Sequence, residues 1–290
     1  EESARLAAIR TGEIHLTAIA DPLTVEAAAS SEGVEIIEHD TTNYYLLGLN
    51  TAEAPFDDVR VRQALSLAID RQAIVDAVFF GRGHVTGPIV PTMGDWAQPI
   101  EDLPNYAVDR DRAKALLEEA SATDLTFTIL VGSLYQEFES IALVIQDQLS
   151  EIGVTVELEP VEWGTFIDRW IARDFQGFVS YNQSGNDPDG SLYSAFITDG
   201  GTNAFQFSNE DVDRLLAVRE DPGELGEVGD RIFLGEHDGE QVAGLMAVRP
   251  GAARGEVAAE VHDVAGVGRL EAAEGRLAAS RAARGRCAGG

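Results

Sequence analysis

The chain has 290 residues, of which 44% are hydrophobic, and this fraction is too high for a chain that is disordered along its whole length. Its 50 acidic and 21 basic residues give a net charge of −29, so binding to nucleic acid or to anionic lipid is not expected. The single cysteine, Cys287, excludes an internal disulfide and a cysteine-based metal cluster. A halophilic source would explain the acidity, and GC-rich coding would explain why Lys114 is the one lysine.

The first fifty residues alternate between helical and extended patterns. We predict helices over residues 2–10 and 22–29, the second opened by Asp21-Pro22. The apolar run 14–19 predicts a buried strand, and residues 34–37 predict a second, short one. Residues 42–49 are aromatic and rich in β-formers, which predicts a further strand.

Residues 57–81 predict two helices in tandem. Asp57 is a suitable N-cap for the first and Asp70 for the second, and Gly81 supplies a left-handed stop. The first helix carries an apolar stripe at i, i+3, i+4, i+7 and i+8, formed by Val61, Ala64, Leu65, Ala68 and Ile69.

The middle of the chain predicts an α/β arrangement. A helix capped by Asp109 precedes strands at 125–131, 154–158 and 178–181, which alternate with helices at 138–152 and 163–173. This order predicts a largely parallel sheet covered by helices, with ligands bound beyond the carboxyl ends of its strands. A capping-box pattern at Ser208 predicts one more helix, whose buried face is Val212, Leu215 and Leu216.

The last seventy residues differ in composition from the rest. Residues 221–290 hold fourteen of the 29 glycines and one aromatic residue, Phe233. We interpret residues 221–290 as a Gly/Ala/Arg-rich tail that is disordered or translated out of frame.

One stretch resembles a known family. It comprises Asn50, Pro55-Phe56-Asp57, residues 61–64, Ala68-Ile69-Asp70-Arg71 and Ile74. These residues are similar to the signature of the extracytoplasmic solute-binding proteins of peptide/nickel ABC importers. The resemblance implies a two-lobed α/β fold of the type II periplasmic-binding-protein kind, with one lobe nearly complete and the other partial. Residues 1–49 would then be part of a first lobe and its crossover strand, residues 50–220 the second lobe, and residues 221–290 a tail without family character.

The segment after the last predicted strand, 181–190, carries the most polar pattern in the chain. A calcium loop is one interpretation, but Phe196 stands where its bidentate acid belongs. Asp187 and Asp189 as paired catalytic carboxylates are a second, although acids flanking a proline are more often turn-formers.

The family gives the third interpretation of this segment, a ligand-binding turn around Asp187-Pro188-Asp189. Peptide-binding members place an aspartate at the position that aligns with Ser184, and a serine cannot neutralise a buried ammonium. Tyrosines exposed where the chain crosses between lobes could also line the cleft, or could simply pack the sheet. For Asn203 a turn role competes with a ligand role. The candidate ligand-binding residues are Tyr45, Tyr181, Asn182, Ser184, Asn186, Asp187 and Asn203.

The sequence offers no positive sign of an enzyme. Its five histidines lack metal-ligand spacing, no phosphate-binding loop follows a strand, and no nucleophile elbow occurs, so we expect no catalytic residue, metal or cofactor. The resemblance implies a monomeric protein outside the cytoplasm, lipid-anchored at full length, that captures a peptide or other small solute for a membrane permease. A non-functional fragment, or a hydrolase or sensor domain on the same fold, are the alternatives.

Overall fold

The computed structural model describes residues 2–38, 40–183, 188–217, 248–250 and 258–260. The α-helices are α1 (Glu2–Arg10), α2 (Pro22–Ala29), α3 (Val59–Ala68), α4 (Arg71–Phe79), α5 (Arg110–Glu119), α6 (Gln136–Ser150), α7 (Trp163–Ala172), α8 (Pro188–Phe196) and α9 (Glu210–Ala217). The strands are β1 (Glu35–Ile37), β2 (Asn43–Leu49), β3 (Gly83–Val85), β4 (Thr126–Gly132), β5 (Thr155–Val161), β6 (Gly177–Gln183), β7 (Val248–Pro250) and β8 (Ala258–Glu260). Short 3-10 helices cover Pro91–Trp96 and Ile100–Asp102.

The main sheet is mixed, with strand order β3-β7-β2-β6-β4-β5. Strand β4 runs parallel to both β5 and β6, which confirms the predicted parallel arrangement for these three strands. Strand β2 is antiparallel to β6 and pairs with it along its whole length, with Tyr45 opposite Tyr181. The carboxyl ends of β4, β5 and β6 and the amino end of β2 therefore meet at one edge of the sheet.

Helices cover both faces of this sheet. Because side chains alternate along a strand, Tyr45, Leu47 and Leu49 lie in the core under α3, α4 and α6. The intervening Tyr44 and Leu46 belong to a second core on the other face, which includes Phe166 of α7. All seven residues of β2 are buried, as expected for a strand covered on both faces.

The predicted strand at 14–19 is wrong. Ile19 is buried and packs with α1 and α2, but Leu16 is 64% exposed. A strand requires the backbone of a neighbouring strand, and none in the described ranges pairs with this segment. The next two backbone N–H groups, of Ala20 and Asp21, instead donate to Oε2 of Glu2, at 2.8 and 2.7 Å.

The tandem helices form as predicted, with a shift of one residue at two ends. Asp58 rather than Asp57 caps α3, because its side chain accepts a hydrogen bond from the N–H of Arg60 at 2.8 Å. Asp70 caps α4 as predicted. The chain leaves α4 through Phe80, which is already left-handed at φ 55°, followed by Gly81 at φ 76°.

The cap of α9 also differs from the prediction. The side-chain oxygen of Asn209 accepts from the N–H groups of Asp211 and Val212 at 3.0 and 3.1 Å, so Asn209 replaces Ser208 as the cap. On this helix Leu215 is buried, while Val212 and Leu216 are partly buried against the same core. In the described part of the chain, no helix is both long and apolar enough to cross a bilayer.

Asn50 ties the end of β2 to two loops. Its buried side-chain N–H₂ donates to the carbonyl of Phe175 at 3.3 Å, and its Oδ1 accepts from Ala52 N and Gln206 Nε2, at 3.2 and 2.7 Å. Asn50 belongs to the stretch that resembles the family, and these contacts give it a scaffold role.

Gly48 leaves room in β2 for two phenylalanine rings. A Cβ at this position would lie 2.4 Å from Phe178 Cε1 and 2.7 Å from Phe205 Cε1. We expect Gly48→Ala to lower the free energy of unfolding by about 1–3 kcal/mol, the usual cost of overpacking. Urea unfolding measures this, with Gly201→Ala as the matched control, because its nearest neighbour would be 3.7 Å away. An unchanged midpoint for Gly48→Ala would show that the rings move aside without cost.

Candidate functional site

Three aromatic side chains stand where the parallel strands end, and we call Tyr135, Trp163 and Tyr181 the aromatic edge. Tyr135 follows β4, Trp163 follows β5 as the first residue of α7, and Tyr181 lies near the end of β6. The Tyr135 ring meets the Trp163 ring edge-on at 5.4 Å and the Tyr181 ring at 6.0 Å. All three side chains are half-buried, so each presents part of its surface to solvent.

Phe138 supports the aromatic edge from below. Its ring is fully buried and lies 5.0 Å from Tyr135, 6.4 Å from Trp163 and 6.1 Å from Tyr181 between centroids. Gly132, the last residue of β4, lets Trp163 pack closely, since a Cβ there would lie 2.8 Å from Cε3 of the indole. The edge is therefore held in place by packing.

Tyr45 extends this group from the neighbouring strand. Tyr45 is 2% exposed and its ring stacks on Phe79 at 5.1 Å, so the structure shows the packing role, one of the two that the sequence left open. Its hydroxyl donates a hydrogen bond of 3.0 Å to Oε1 of Glu137, in the first turn of α6. The ring packs the sheet, and the hydroxyl reaches the half-buried carboxylate beside the aromatic edge.

Asn182 lies on the face of β6 opposite to Tyr181, where its side chain contacts Tyr44. Its Nδ2 donates to the Tyr44 hydroxyl oxygen at 2.9 Å. Burial of Tyr44 disfavours the phenolate and raises the pKa of Tyr44 to about 12, against a smaller lowering effect of the Asn182 hydrogen bond.

The raised pKa of Tyr44 predicts a loss of stability in alkali. The unfolded chain releases this proton near pH 10 and the folded chain near pH 12, so the free energy of unfolding falls across that interval and not below it. The total is about 3 kcal/mol at about 1.4 kcal/mol per pKa unit. Urea unfolding from pH 9 to pH 12 should show a shallower decline for Tyr44→Phe than for the wild type. Parallel curves for the two proteins would contradict the assignment.

Asn203 is buried in the loop before α9 and its side chain is used within that loop. Its Nδ2 donates to the carbonyls of Ile197 and Phe207 at 3.0 and 2.7 Å, and its Oδ1 accepts from Phe207 N at 3.0 Å. These contacts give it the turn role that the sequence left open.

Ser184, Asn186 and Asp187 lie outside the described residues, and so do the calcium and paired-acid interpretations that depend on them. The structure brings Tyr45 and Tyr181 together and places Asn182 on the other face, with Asn203 in a separate loop. Sequence reasoning missed Tyr135, Trp163 and Glu137. The signal available was an aromatic residue close to the carboxyl end of each parallel strand.

A cavity of about 270 Å³ lies away from the aromatic edge, among β4, β5, α7 and the loop after α7. Arg169 in its wall pairs with Glu159 at 2.7 Å and with Asp174 at 3.3 Å. Three of the five charged residues that line the cavity are therefore paired with one another. Within the described ranges, no group of three or more His, Cys, Asp or Glu side chains could hold a metal ion.

A rigid α/β sheet that presents aromatic side chains at the carboxyl edge of its parallel strands defines a lobe suited to binding a small ligand. Residues 1–203 match the family model described as bacterial extracellular solute-binding proteins, family 5 Middle. The chain belongs to this family. Its fold is that of the two-lobed binding proteins, of whose chains it covers about half.

Two curated relatives illustrate the family. The chain is 30% identical over 225 residues to a probable di/tripeptide-binding protein 5 of Pseudomonas aeruginosa, covering 75% of this chain and 42% of the relative. It is 28% identical over 225 residues to the heme-binding protein A of Haemophilus influenzae, with 74% and 41% covered. The chain therefore spans about two fifths of the length of these relatives.

Solved structures of binding proteins have the same fold as this chain. The substrate-binding protein CtaP of Listeria monocytogenes superposes with a TM-score of 0.75 at 25% identity, covering 90% of this chain and 53% of that one. A dipeptide-binding protein of a Pseudoalteromonas species, in complex with Met-Leu, superposes with a TM-score of 0.71 at 26% identity, with 91% and 53% covered.

Proposed function

We propose that the chain is part of the substrate-binding subunit of an ABC importer, which captures a peptide-like or other small solute in a cleft between two lobes. The observation that carries the proposal is the aromatic edge, and we place it in one wall of that cleft. Tyr181 contributes to this wall, and we propose that Ser184, Asn186 and Asp187, which follow β6 in the sequence, bind the solute. Closure of the lobes about a hinge would give the form that a membrane permease recognises.

Chemical reasoning supports a peptide-like or aromatic solute. Partly exposed tyrosine and tryptophan rings bind apolar side chains and stack on planar groups, at little entropic cost because they have few rotatable bonds. The relatives named for dipeptides, for di- and tripeptides and for heme fit such a surface. The protein would act outside the cytoplasm, anchored by lipid at full length, as a monomer, without a cofactor and without catalysis.

The test is a titration of the chain with di- and tripeptides at millimolar concentrations, followed by mass spectrometry of the recovered peptide. We expect saturable binding of unchanged peptide, and about a twofold to tenfold loss of affinity in Trp163→Ala for peptides with an aromatic side chain, since one ring–ring contact contributes about 0.5–1.5 kcal/mol. Trp96→Ala is the matched control, because Trp96 is 54% exposed in a surface loop. Cleaved peptide would instead support a hydrolase, and equal losses in the two variants would exclude the aromatic edge as the binding wall.

A further inference from the structure

The cavity of about 270 Å³ beside α7 lies apart from the aromatic edge. Gly177, the first residue of β6, lines this cavity, whereas Tyr181 lies near the other end of that strand. Its volume is just below the range of about 300–1,000 Å³ for pockets that hold drug-sized ligands, so a molecule bound in it would be smaller. Leu130 and Phe175 supply a buried apolar wall, and the other side chains that line the cavity are polar.

Two charged side chains of opposite sign line the cavity without a partner among the described residues. Arg169 pairs with Glu159 and Asp174, but neither Arg173 nor Glu53 forms an ion pair or a side-chain hydrogen bond within the described ranges. Arg173 caps the carboxyl end of α7 and is left-handed at φ 60°, a conformation in which glycine is usual. Ending the helix therefore does not explain why an arginine stands at this position.

Gln176 adds a hydrogen-bond donor to the same cavity. Its Oε1 accepts a 2.9 Å hydrogen bond from the backbone N–H of Thr128 in β4. Strand β6 pairs with β4 only from Gly177 onward, so the Gln176 side chain takes the place of a strand partner. Because Oε1 is used in this bond, Nε2 is left as a donor, and no residue that the structure describes accepts a hydrogen bond from it.

The cavity wall offers donors and acceptors together. A guanidinium group and an amide N–H₂ only donate, a carboxylate only accepts, and a hydroxyl group does both. A carboxylate in the cavity would be repelled by Glu53, and an ammonium group would be repelled by Arg173. The Arg169 group holds one surplus negative charge, but the Asp174 side chain is 75% exposed, so water screens it. Adjacent hydroxyl groups on a neutral molecule match both kinds of partner.

We propose that this cavity is a second binding site, for a neutral polyhydroxylated molecule about the size of a monosaccharide. Neighbouring hydroxyl groups accept hydrogen bonds from Arg173 and from Nε2 of Gln176 and donate to Glu53, while the carbon skeleton packs on Phe175. The site lies outside the proposed solute cleft, so this inference does not depend on the proposed function.

The experiment uses three probes with similar rings and different charges: D-glucose, D-glucuronate and protonated D-glucosamine. Each is titrated against the wild-type chain, Arg173→Met and Arg112→Met, and ¹H–¹⁵N spectra follow the side-chain amide of Gln176. Methionine keeps a long unbranched side chain but has no N–H donor. Arg112→Met is the matched control, because Arg112 lies in α5, pairs with Glu119 at 2.8 Å and does not line the cavity.

We expect D-glucose to shift the Gln176 side-chain signal to saturation in the wild type and in Arg112→Met. Binding to Arg173→Met should be about tenfold weaker or more, the usual effect of losing a hydrogen bond to a charged group. The two charged probes should bind the wild type more weakly than D-glucose, and D-glucose should leave the indole signal of Trp163 in place.

Three results would overturn the second site: tighter binding of either charged probe to the wild type, equal binding of D-glucose by the two variants, or no shift of the Gln176 signal. The comparison of the three probes on the wild type needs no variant, so it decides the matter even if Arg173→Met does not fold. The peptide titration of Trp163→Ala tests the proposed function separately.

Discussion

Phe138→Ala is expected to lower the free energy of unfolding by about 3–5 kcal/mol, the usual cost of removing a buried phenylalanine ring. The ring is fully buried at the start of α6 and touches four aromatic neighbours, Tyr45, Tyr135, Trp163 and Tyr181. The cavity would open directly beneath the aromatic edge, between α6 and the antiparallel strands β2 and β6. Because these elements are fixed by the sheet, we expect the neighbouring side chains to fill little of it.

Urea unfolding measures this loss, with Leu143→Ala as the matched control. Leu143 is an apolar residue of the same helix but is 49% exposed, so its truncation should cost well under half as much. If the two variants were equally stable, the ring of Phe138 would not be the support of the aromatic edge.

Asn203→Ala is expected to cost about 3 kcal/mol or more. The substitution leaves the carbonyls of Ile197 and Phe207 and the N–H of Phe207 without the side-chain partner that they have in the native loop. Each buried polar group left unsatisfied costs about 1–3 kcal/mol, and water entering the loop would recover part of this.

Hydrogen exchange adds a local measurement for Asn203→Ala. The amide of Phe207 should lose protection in Asn203→Ala. It should keep its protection in Thr202→Ala, because Thr202 is an exposed neighbour whose hydroxyl donates to Oγ of Ser194. Retained protection at Phe207 in Asn203→Ala would mean that Asn203 does not hold the loop, and would reopen a ligand role for its amide.

The sequence predicted the helical parts of the fold well because their determinants are local. The spacing of Val61, Ala64 and Leu65 and the cap at Asp70 are patterns within a single helix, so they can be recognised without knowing what the helix packs against. The strand predicted at residues 14–19 was wrong for the opposite reason. A strand forms only beside another strand, and an apolar run in the sequence does not show whether such a neighbour exists. The antiparallel direction of β2 could not be predicted either, since strand direction is a property of the pair.

The candidate site was predicted only in part. Tyr181 follows from the rule that ligands bind at the carboxyl ends of parallel strands, and the structure places it there. Trp163 and Tyr135 were missed because each stands at the beginning of a helix, where the apolar pattern alone assigns it to packing. The link from Tyr45 to Glu137 joins residues 92 positions apart and has no local signal.

The most direct test of the central claim, that the aromatic edge binds the solute, uses the indole N–H signals of the three tryptophans in a ¹H–¹⁵N spectrum. Trp163 lies in the edge, Trp170 near the opposite end of α7, and Trp96 in an exposed loop. Addition of millimolar tri-alanine should shift the Trp163 signal progressively and leave those of Trp96 and Trp170 in place. A spectrum in which Trp163 stays fixed while Trp96 or Trp170 moves, or in which nothing moves, would contradict it.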